Sequence, residues 1–335
     1  MDCITTCSPA AVSASHFHAT SSHANCLFVN NPHFPLPDSC APQSGCDSGC
    51  AADQEVQPMA LLRPRSSFRL ACFNVRTLMQ IGQQAGLART LDSLDIDVCC
   101  LSETRLQDPS TVLTLTSPTD HEARYHLRLS GDPEAASAGL AGVGIALSDK
   151  AEAALLDWFP INSRLCAVRL RGSCRINRHR EERHNLFVIS VYAPTDCSGD
   201  SVKDEFYRDL QQLLTNAKKL DVVILAGDFN ARVGRLLPYE RHLGGHHALD
   251  ENRSDNGERL LTLCEDNRLF LSSTNFRRTK KRSATWRPPS STQPWSQIDH
   301  IAISFRWRGS IMLWSARKSV CVLEDPETRS TARLM

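Results

Sequence analysis

A short, unbroken apolar segment that ends in polar residues constrains this chain more than any other feature. Residues 222–226 are apolar and mostly β-branched, and Gly227, Asp228, Phe229 and Asn230 follow directly. Such a run is typical of a strand that is buried on both faces. In α/β proteins, strands of this kind carry functional groups at their carboxyl ends. The segment therefore predicts an α/β fold with Asp228 and Asn230 at one edge of a central sheet.

Asp228 and Asn230 have two interpretations at this stage. If the extended conformation continues past the strand, the carboxylate and the carboxamide project the same way. Asp228 can then transfer a proton or hold water, and Asn230 can hydrogen-bond a substrate oxygen. In the alternative, an Asx turn simply closes the strand. The segment taken alone favours neither interpretation.

Strand and helix patterns alternate along the chain. Apolar runs predict strands at residues 68–75, 98–102, 142–147, 165–170, 186–192, 222–226, 268–271, 284–286 and 297–303. Helical periodicity is present around residues 87–94, 202–220 and 257–266. Residues 107–138 and 234–255 are predicted to be mostly loop. Because many links are of hairpin length, the order favours mixed sheets over a purely parallel sheet.

Residues 1–67 differ from the rest of the chain in composition. They are rich in Ser, Ala, Pro, His and Cys and show no sustained periodicity, which predicts disorder. Zinc binding by Cys40, Cys46 and Cys50 with His33 is the alternative, but the spacing matches no known zinc pattern. We find no signal-peptide pattern and no run that could span a membrane. We therefore expect reduced cysteines, a cytoplasmic or nuclear location and no membrane partner.

The distribution of charge permits nucleic-acid binding without requiring it. The chain has a net charge of +1. Residues 1–67 contain five acidic and two basic residues and have a net charge of −3, so the rest of the chain has a net charge of +4. One strongly basic cluster consists of Arg277, Arg278, Lys280, Lys281 and Arg282. It can contact nucleic-acid phosphates, serve as a nuclear-import signal or be a plain solvated loop.

Polar residues of one chemical kind lie at the ends of several predicted strands. They are Asn74, Glu103, Tyr192, Asp228 with Asn230, and Asp299. Each has a structural explanation when it is taken alone, as a helix cap, a core aromatic or an ion-pair partner. The combination, in this order, is more informative than any of its members.

The segments around these residues resemble the endonuclease/exonuclease/phosphatase superfamily, which includes DNase I and the apurinic/apyrimidinic endonucleases. The similarity is greatest to endonuclease domains of RTE-type non-LTR retrotransposons and to host proteins similar to craniofacial development protein 2. It extends from about residue 68 to about residue 309. The shared segments are Phe73–Leu78, Leu101–Arg105, Gly142–Ala146, Tyr192–Thr195, Gly227–Gly234, Asn256–Leu261, Ala284–Trp286 and Gln297–His300.

The resemblance implies a four-layer α/β sandwich, in which helices flank two packed mixed β-sheets, and metal-dependent cleavage of DNA. We expect the protein to be a monomer. It implies that Glu103 binds Mg²⁺, or Mn²⁺, with Asn74 close by. Asp228 would orient or deprotonate the attacking water, or protonate the leaving group. Asn230 and Tyr192 would donate hydrogen bonds to phosphate oxygens in the transition state.

One departure from the family pattern concerns the end of the chain. The family carries a Ser-Asp-His motif before its last strand, and Asp299 would orient that His. This chain lacks the motif, and its residues 312–335 contain no His. His300 follows Asp299 directly in a strand, so it is expected to face the opposite side.

This departure sets the domain boundaries and the alternative functions. We predict an endonuclease domain at residues 68–311 and a divergent tail at 312–335 that lacks the last strand. Loss of a proton-transfer or phosphate-binding His typically lowers activity by about 10²–10⁴-fold. The alternatives to a DNA endonuclease are a catalytically silent nucleic-acid-binding relic and a phosphatase of the same fold.

Overall fold

The computed structural model describes residues 60–63, 66–119, 123–132, 141–177, 180–286, 295–315 and 320–323. These residues lie in one compact unit of the chain, residues 55–335. The predicted disorder of residues 1–67 and the alternative zinc site at Cys40, Cys46, Cys50 and His33 fall outside the described residues, apart from the last few positions before β1. None of the helices in the described ranges is long and apolar enough to cross a bilayer.

Strands and helices follow one another closely along the described part of the chain. In chain order they are β1 (Phe68–Asn74), α1 (Ile81–Ser93), β2 (Val98–Ser102), β3 (Val112–Thr116), β4 (Arg124–Ser130), β5 (Val143–Ser148), α2 (Asp149–Glu152), β6 (Leu155–Asn162), β7 (Leu165–Leu170), β8 (Ser173–Asn177), β9 (Arg180–Arg183), β10 (Leu186–Tyr192), α3 (Asp200–Leu214), β11 (Val222–Asp228), α4 (Asp255–Asp266), β12 (Leu269–Leu271), α5 (Lys280–Ser283), β13 (Asp299–Ser304), β14 (Ile311–Ser315) and β15 (Val320–Leu323).

Two mixed sheets and one small hairpin contain these strands. The first sheet has the order β14-β15-β1-β2-β5-β4-β3, and the second has the order β12-β13-β11-β10-β7-β6. The pairs β1–β2 and β10–β11 are parallel, and the other pairs in both sheets are antiparallel. β8 and β9 form a separate two-stranded hairpin. The prediction of mixed sheets is therefore confirmed.

The two sheets pack face to face, and helices cover their outer faces. The apolar cluster between the sheets contains Phe68 and Ile145 from the first sheet and Val188 and Ile224 from the second. The helix α1 packs on the outside of the first sheet, and α3 and α4 pack on the outside of the second. Burial of each large apolar side chain stabilises this arrangement by about 1.5–3 kcal/mol. The result is the predicted four-layer sandwich.

Several strands and one short pairing differ from the prediction. Residues 107–138, predicted to be mostly loop, contain β3 and β4, and β6 was not predicted at all. β3 and β6 are edge strands with half-exposed side chains, and β6 contains Pro160, so neither has the apolar run of a buried strand. Residues 284–286, predicted as a strand, form only a single bridge from Trp286 to Ser296.

The prediction that the last strand is missing is wrong. β15, which lies in the divergent tail, pairs antiparallel with β1 from Phe68↔Leu323 to Ala71↔Val320. β14 then pairs with the outer side of β15. Strand pairing needs backbone groups and apolar contacts rather than a particular motif, and Leu323 is 2% exposed. An unfamiliar sequence can therefore complete the sheet beside β1.

Two residues of the stretch 1–67, for which the composition predicts disorder, belong to the core. Leu61 and Leu62 are buried against the cluster between the sheets. The backbone N–H of Leu61 donates to the Arg171 carbonyl at 2.8 Å, and the N–H of Ser173 donates to the Leu62 carbonyl at 2.9 Å. The packed part of the chain thus begins before β1.

Candidate active site

Five polar side chains from both sheets meet at one end of the sandwich. Asn74, Tyr192 and Asp228 end three strands that run in parallel pairs, and Glu103 follows β2. Since β13 is antiparallel to β11, Asp299 begins its strand and lies opposite Asp228. The structure therefore brings together the polar strand ends that the sequence singled out.

The side-chain amide of Asn74 joins acidic residues of the two sheets. Its Nδ2 donates to Glu103 Oε1 at 2.6 Å and to Asp228 Oδ2 at 3.1 Å. The Tyr192 hydroxyl donates to the same Glu103 oxygen at 3.3 Å. The two carboxylates attract the partial positive charge of these N–H groups. The space between the carboxylates therefore favours positive charge.

The carboxylate of Asp228 is held at both oxygens. Oδ1 accepts from the backbone N–H of Asn230 at 2.9 Å, and Oδ2 accepts from Asn74. The first contact is the Asx turn of the alternative interpretation, but the second places the same group in the site. The structural and the chemical interpretations of Asp228 are therefore compatible.

The segment after β11 does not stay extended, as one interpretation required. Asn230 has a φ of 48°, in the left-handed region. Its side-chain Nδ2 donates to the Ala193 carbonyl at 2.9 Å. Because a carboxamide has two N–H donors, the second is available to a substrate oxygen. Asn230 thus reaches the site by a turn rather than by strand alternation.

Left-handed backbone recurs around the site. Arg76 has a φ of 59°, Glu103 of 57° and Arg105 of 57°. Each such non-glycine residue costs about 1–3 kcal/mol, which the surrounding structure must offset. The turn after β2 is fixed by backbone hydrogen bonds of 3.0 Å from Thr104 to Gly142 and from Arg105 to Ala141. Strain of this kind concentrates at functional sites.

Burial sets the protonation of the acidic and phenolic groups. Burial, and then repulsion from Glu103, raises the pKa of Asp228 to about 6, although hydrogen bonds from Asn230 and Asn74 oppose the rise. Burial, and then the charge of Asp228, raises the pKa of Asp299 well above its usual range. Burial raises the pKa of Tyr192 to about 12, so its hydroxyl stays a donor at neutral pH.

The raised pKa of Asp228 predicts that this carboxyl contributes less to the stability of the metal-free protein as the pH rises, opposite in sign to the contribution of buried His300, whose pKa is lowered. Unfolded Asp228 releases its proton near pH 4, whereas the folded protein holds it up to a pKa of about 6. Between these values the folded state binds more protons at Asp228, so the contribution of this group to the free energy of unfolding falls as the pH rises. Asp228→Asn should reduce this slope and raise stability at pH 7 by about 1–3 kcal/mol.

Urea unfolding in EDTA at several values between pH 4 and 7 measures this effect. Asp266→Asn, at an exposed position at the end of α4, is the matched control and should leave the slope of the wild-type protein unchanged. Equal pH dependence in wild type and Asp228→Asn would show that Asp228 is ionised at its ordinary pKa.

His300 does not take the place of the absent catalytic His. It is fully buried, with Nε2 2.8 Å from the Ala231 carbonyl and Nδ1 2.9 Å from Ser273 Oγ. Burial lowers the pKa of its imidazole to about 4. Asp299, on the other side of β13, donates its backbone N–H to Thr285 Oγ1 at 3.1 Å. The expected opposite orientation is confirmed, and His300 holds the segment that follows β11.

Two further side chains support the site without having been assigned to it. Asn256 is fully buried and donates from Nδ2 to the Pro194 carbonyl at 2.9 Å and to the Asn230 carbonyl at 3.2 Å. The Arg164 guanidinium lies 5.1 Å from the centroid of the Tyr192 ring. Asn256 lies in a shared segment and could have been found there. Arg164 lies in the turn between β6 and β7. No sequence pattern indicated it, because its contact with the Tyr192 ring exists only in the folded chain.

A cavity of about 650 Å³ opens beside these groups. Asn230 lies in its wall with Thr195, Arg232, Trp286 and Ile298. Trp286 is 40% exposed, although tryptophan is usually well buried. The cavity thus offers an aromatic and apolar surface next to a hydrogen-bonding amide.

The basic cluster lies close to the same end of the molecule. Lys280 and Arg232 share the wall of a cavity of about 640 Å³, and Arg232 also lines the cavity beside Asn230. Arg277 and Lys280 are exposed. Arg278 is partly buried, and the backbone at Lys281 and Arg282 belongs to α5, while the side chains of these two fall outside the described residues. The exposed cations can therefore meet a ligand that reaches the site.

The oxygen donors at the site fit Mg²⁺. Within the described ranges, no three His, Cys, Asp or Glu side chains are grouped to hold a metal ion. Glu103 offers a carboxylate with the Asp228 carboxylate close by, while the Asn74 amide oxygen accepts from the Arg76 backbone N–H at 3.1 Å and its Nδ2 faces the two carboxylates. Mg²⁺ commonly takes one or two carboxylates and keeps several waters.

Comparisons with known proteins show what this chain is similar to. A family model described as the Endonuclease/Exonuclease/phosphatase family matches residues 71–327. Craniofacial development protein 2 of Bos taurus is 29% identical over 252 residues, which are 74% of this chain and 38% of that protein. The protein of the same name from Tragulus javanicus is 29% identical over 266 residues, 78% of this chain and 41% of its own length. This chain thus spans about two fifths of the length of these relatives.

One solved structure shows the extent of the shared fold. The APE2 catalytic domain of Xenopus laevis superimposes with a TM-score of 0.50 at 18% identity, and the match covers 76% of this chain and 91% of that domain. At this level of identity the likeness concerns the fold alone.

Proposed function

This chain belongs to the Endonuclease/Exonuclease/phosphatase family, and we propose that it is a Mg²⁺-dependent phosphodiester hydrolase that cuts DNA. Family membership confirms the resemblance inferred from the motifs. The observation that carries the proposal is the junction at Asn74, whose amide contacts the carboxylates of Glu103 and Asp228 from two different sheets.

In the proposed reaction, Glu103 and Asn74 hold the metal ion. Bound Mg²⁺ offsets the negative charge that develops on the phosphate and the leaving oxygen. The Tyr192 hydroxyl, 3.3 Å from Glu103 Oε1, fixes the orientation of that carboxylate. The left-handed backbone at Glu103 leaves this residue little conformational freedom. Its carboxylate is therefore preorganised to bind the metal ion.

Asp228 is the proposed proton-transfer group. Its pKa of about 6 lies near neutral pH, where a side chain both holds its working protonation state and exchanges a proton efficiently. The contacts to Asn230 and Asn74 fix the direction of the carboxylate. Asp228 takes a proton from the attacking water or gives one to the leaving oxygen, and both roles need this geometry.

Tyr192, Asn230 and Asp299 assist the proposed transfer. The Tyr192 hydroxyl and the second N–H of Asn230 are neutral donors that can stabilise charge on the non-bridging oxygens. Asp299 lies opposite Asp228 in the strand register, and burial favours its protonated form. Asp228 and Asp299 together therefore carry less than two full negative charges. This lowers their electrostatic repulsion of an approaching phosphate.

DNA is the substrate that the surroundings of the site support best. The exposed cations Arg277 and Lys280 lie on the segment beside the site, and cations of this kind contact nucleic-acid phosphates. The motifs shared with retrotransposon endonuclease domains support an origin in such an element. We propose that the domain acts as a monomer in the nucleus or the cytoplasm.

A second candidate is a nucleic-acid-binding protein without catalytic activity. It is favoured by a specific observation: residues 312–335 contain no His, and His300 points into the core. Such a protein would retain the basic surface and the cavity beside Asn230 but would lack one phosphate contact of the family. The activity of the purified chain decides between the two candidates.

A panel of substrates tests the proposal. We expect the full chain with Mg²⁺ to nick supercoiled plasmid DNA and to release no phosphate from inositol phosphates. Phosphate release without nicking would identify a phosphatase of the same fold. Salt-sensitive DNA binding without either reaction would identify the silent binding protein. A circular-dichroism spectrum of the same sample ensures that an inactive protein is folded.

A further inference from the structure

The junction between the loop after β1 and the start of α1 presents two exposed apolar side chains. Met79 is 65% exposed and Ile81 is 83% exposed, the highest values among the large aliphatic side chains of the described ranges. Single exposed apolar residues are ordinary on a protein surface. Here two of them lie within three positions, so contact with one ligand removes both from water and favours binding. We refer to these two side chains as the apolar tip.

A backbone hydrogen bond places the apolar tip beside the proposed metal ligand. The N–H of Leu78 donates to the Thr104 carbonyl at 2.9 Å. Met79 directly follows Leu78, and Glu103 directly precedes Thr104. Since consecutive Cα atoms are about 3.8 Å apart, the Cα atoms of Met79 and Glu103 are no more than about 14 Å apart. This distance corresponds to about four base-pair steps of DNA, so a phosphate at Glu103 brings its neighbouring bases to the apolar tip.

Hydrogen bonds on both sides of Met79 hold the apolar tip in place. Gln84 Nε2 donates to the Leu78 carbonyl at 2.8 Å, and the N–H of Gln80 donates to Gln83 Oε1 at 3.2 Å. Leu78 itself is 1% exposed and packs in the apolar cluster under α1. A segment that is fixed before binding loses little conformational entropy when it binds. The apolar tip is therefore preorganised for contact with a ligand.

Exposed cations flank the apolar tip, and the first turn of α1 contains no acid. Arg76 lies in the same loop and Arg105 follows Thr104, and both are exposed. In the part of the chain that the structure describes, neither forms an ion pair. The centre of a protein–protein interface is depleted of charged residues. In DNA, by contrast, phosphates border a groove of stacked bases, and this arrangement matches cations beside an apolar tip.

We propose that Met79 and Ile81 form an apolar wedge, which enters the minor groove of the DNA substrate near the scissile phosphate and partly unstacks one base step. The inference rests on the proposed function, because it takes DNA as the substrate. Arg76 and Arg105 contact phosphates that border the groove. The minor groove is about 6 Å wide, which admits the two side chains of a loop tip. Ile and Met are among the side chains that unstack base steps in this way.

Unwinding of closed-circular plasmid tests the wedge without requiring nicking. Unstacking a base step untwists the duplex, so bound protein lowers the linking number of plasmid that a metal-independent topoisomerase I relaxes in EDTA. Electrophoresis of the deproteinised topoisomers measures this change. Filter binding of the same plasmid measures the amount of bound protein. The test variant of the full chain is Met79→Ser/Ile81→Ser, which removes the wedge and keeps the backbone hydrogen bonds of the loop.

Two further variants separate the wedge from a general loss of apolar surface. Leu156→Ser/Leu220→Ser is the control, and it makes a similar change at side chains that are 37% and 41% exposed. These residues lie at the amino ends of β6 and β11, whereas the candidate active site lies at the carboxyl end of β11. Met79→Leu/Ile81→Leu keeps an apolar wedge and should keep the unwinding. Thermal unfolding ensures that all variants are folded.

We expect the wild type and the control to lower the linking number, and the test variant to lower it at least about 3-fold less per bound molecule. Equal unwinding by the test variant and the control would overturn the proposal. An unchanged linking number with bound wild-type protein would overturn it too, as would failure of the wild type to bind the plasmid. Mg²⁺-dependent nicking by a wild type that does not unwind DNA would refute the wedge alone. Wedge-dependent unwinding without nicking would refute the endonuclease alone.

Discussion

Asp228→Asn should lower Mg²⁺-dependent nicking of supercoiled plasmid by about 10²–10⁴-fold, the usual loss when a proton-transfer group is removed. Asparagine can still accept from the Asn230 N–H that closes the Asx turn, so the backbone turn survives. It cannot exchange a proton near neutral pH. The rate of conversion of supercoiled to open-circular plasmid, at saturating Mg²⁺, gives the effect.

The control for this substitution separates a catalytic role from a structural one. Asp266→Asn changes an exposed acid at the end of α4 and should nick plasmid at the wild-type rate. If Asp228→Asn keeps more than about a third of the wild-type rate, then Asp228 acts only as the turn residue of the alternative interpretation.

Gly227→Val should destabilise the protein by more than about 3 kcal/mol, and it should abolish soluble expression if the wild type is marginally stable. Gly227 has a φ of 150°, which side chains rarely adopt, and a Cβ at this position would lie 2.0 Å from the Val191 carbonyl oxygen. That oxygen is backbone of the neighbouring strand β10, so it cannot move without breaking the ladder that carries Tyr192 and Asp228.

Gly86→Ala is the matched control for Gly227→Val. Gly86 lies within α1, and a Cβ there would meet no atom within 4 Å. Alanine should therefore stabilise the helix by about 0.5–1 kcal/mol. Urea unfolding measures both variants. A loss of less than about 1 kcal/mol in Gly227→Val would contradict the close approach of β10 and β11.

Strands with an unbroken apolar run could be predicted from the sequence, and strands with alternating or exposed positions could not. β2, β7 and β10 have the bounds that their apolar runs predict, because burial on both faces leaves no polar position inside the run. β3 and β6 alternate or expose their side chains at the sheet edges, so their residues resemble those of loops. β15 shows the same limit, since its pairing with β1 depends on the tertiary structure.

The members of the candidate site could be predicted, but not the way they meet. Parallel strands bring their carboxyl ends to one edge, so the positions of Asn74, Tyr192 and Asp228 follow from the strand pattern. The contact from Asn74 to Asp228 spans 154 residues and two sheets, which no local pattern encodes. The left-handed backbone at Glu103 and Asn230 is likewise set by surrounding contacts. Because Asn230 has left-handed backbone, the interpretation in which the segment stays extended is wrong.

The measurement that tests the central claim most directly is nicking of supercoiled plasmid by the full chain, with Mg²⁺ and with EDTA, beside Glu103→Ala. The account predicts that wild-type protein nicks only with Mg²⁺ and that Glu103→Ala does not nick, because Glu103 supplies the carboxylate beside Asn74. Nicking in EDTA, undiminished nicking by Glu103→Ala, or no nicking by folded wild-type protein with Mg²⁺ would contradict it.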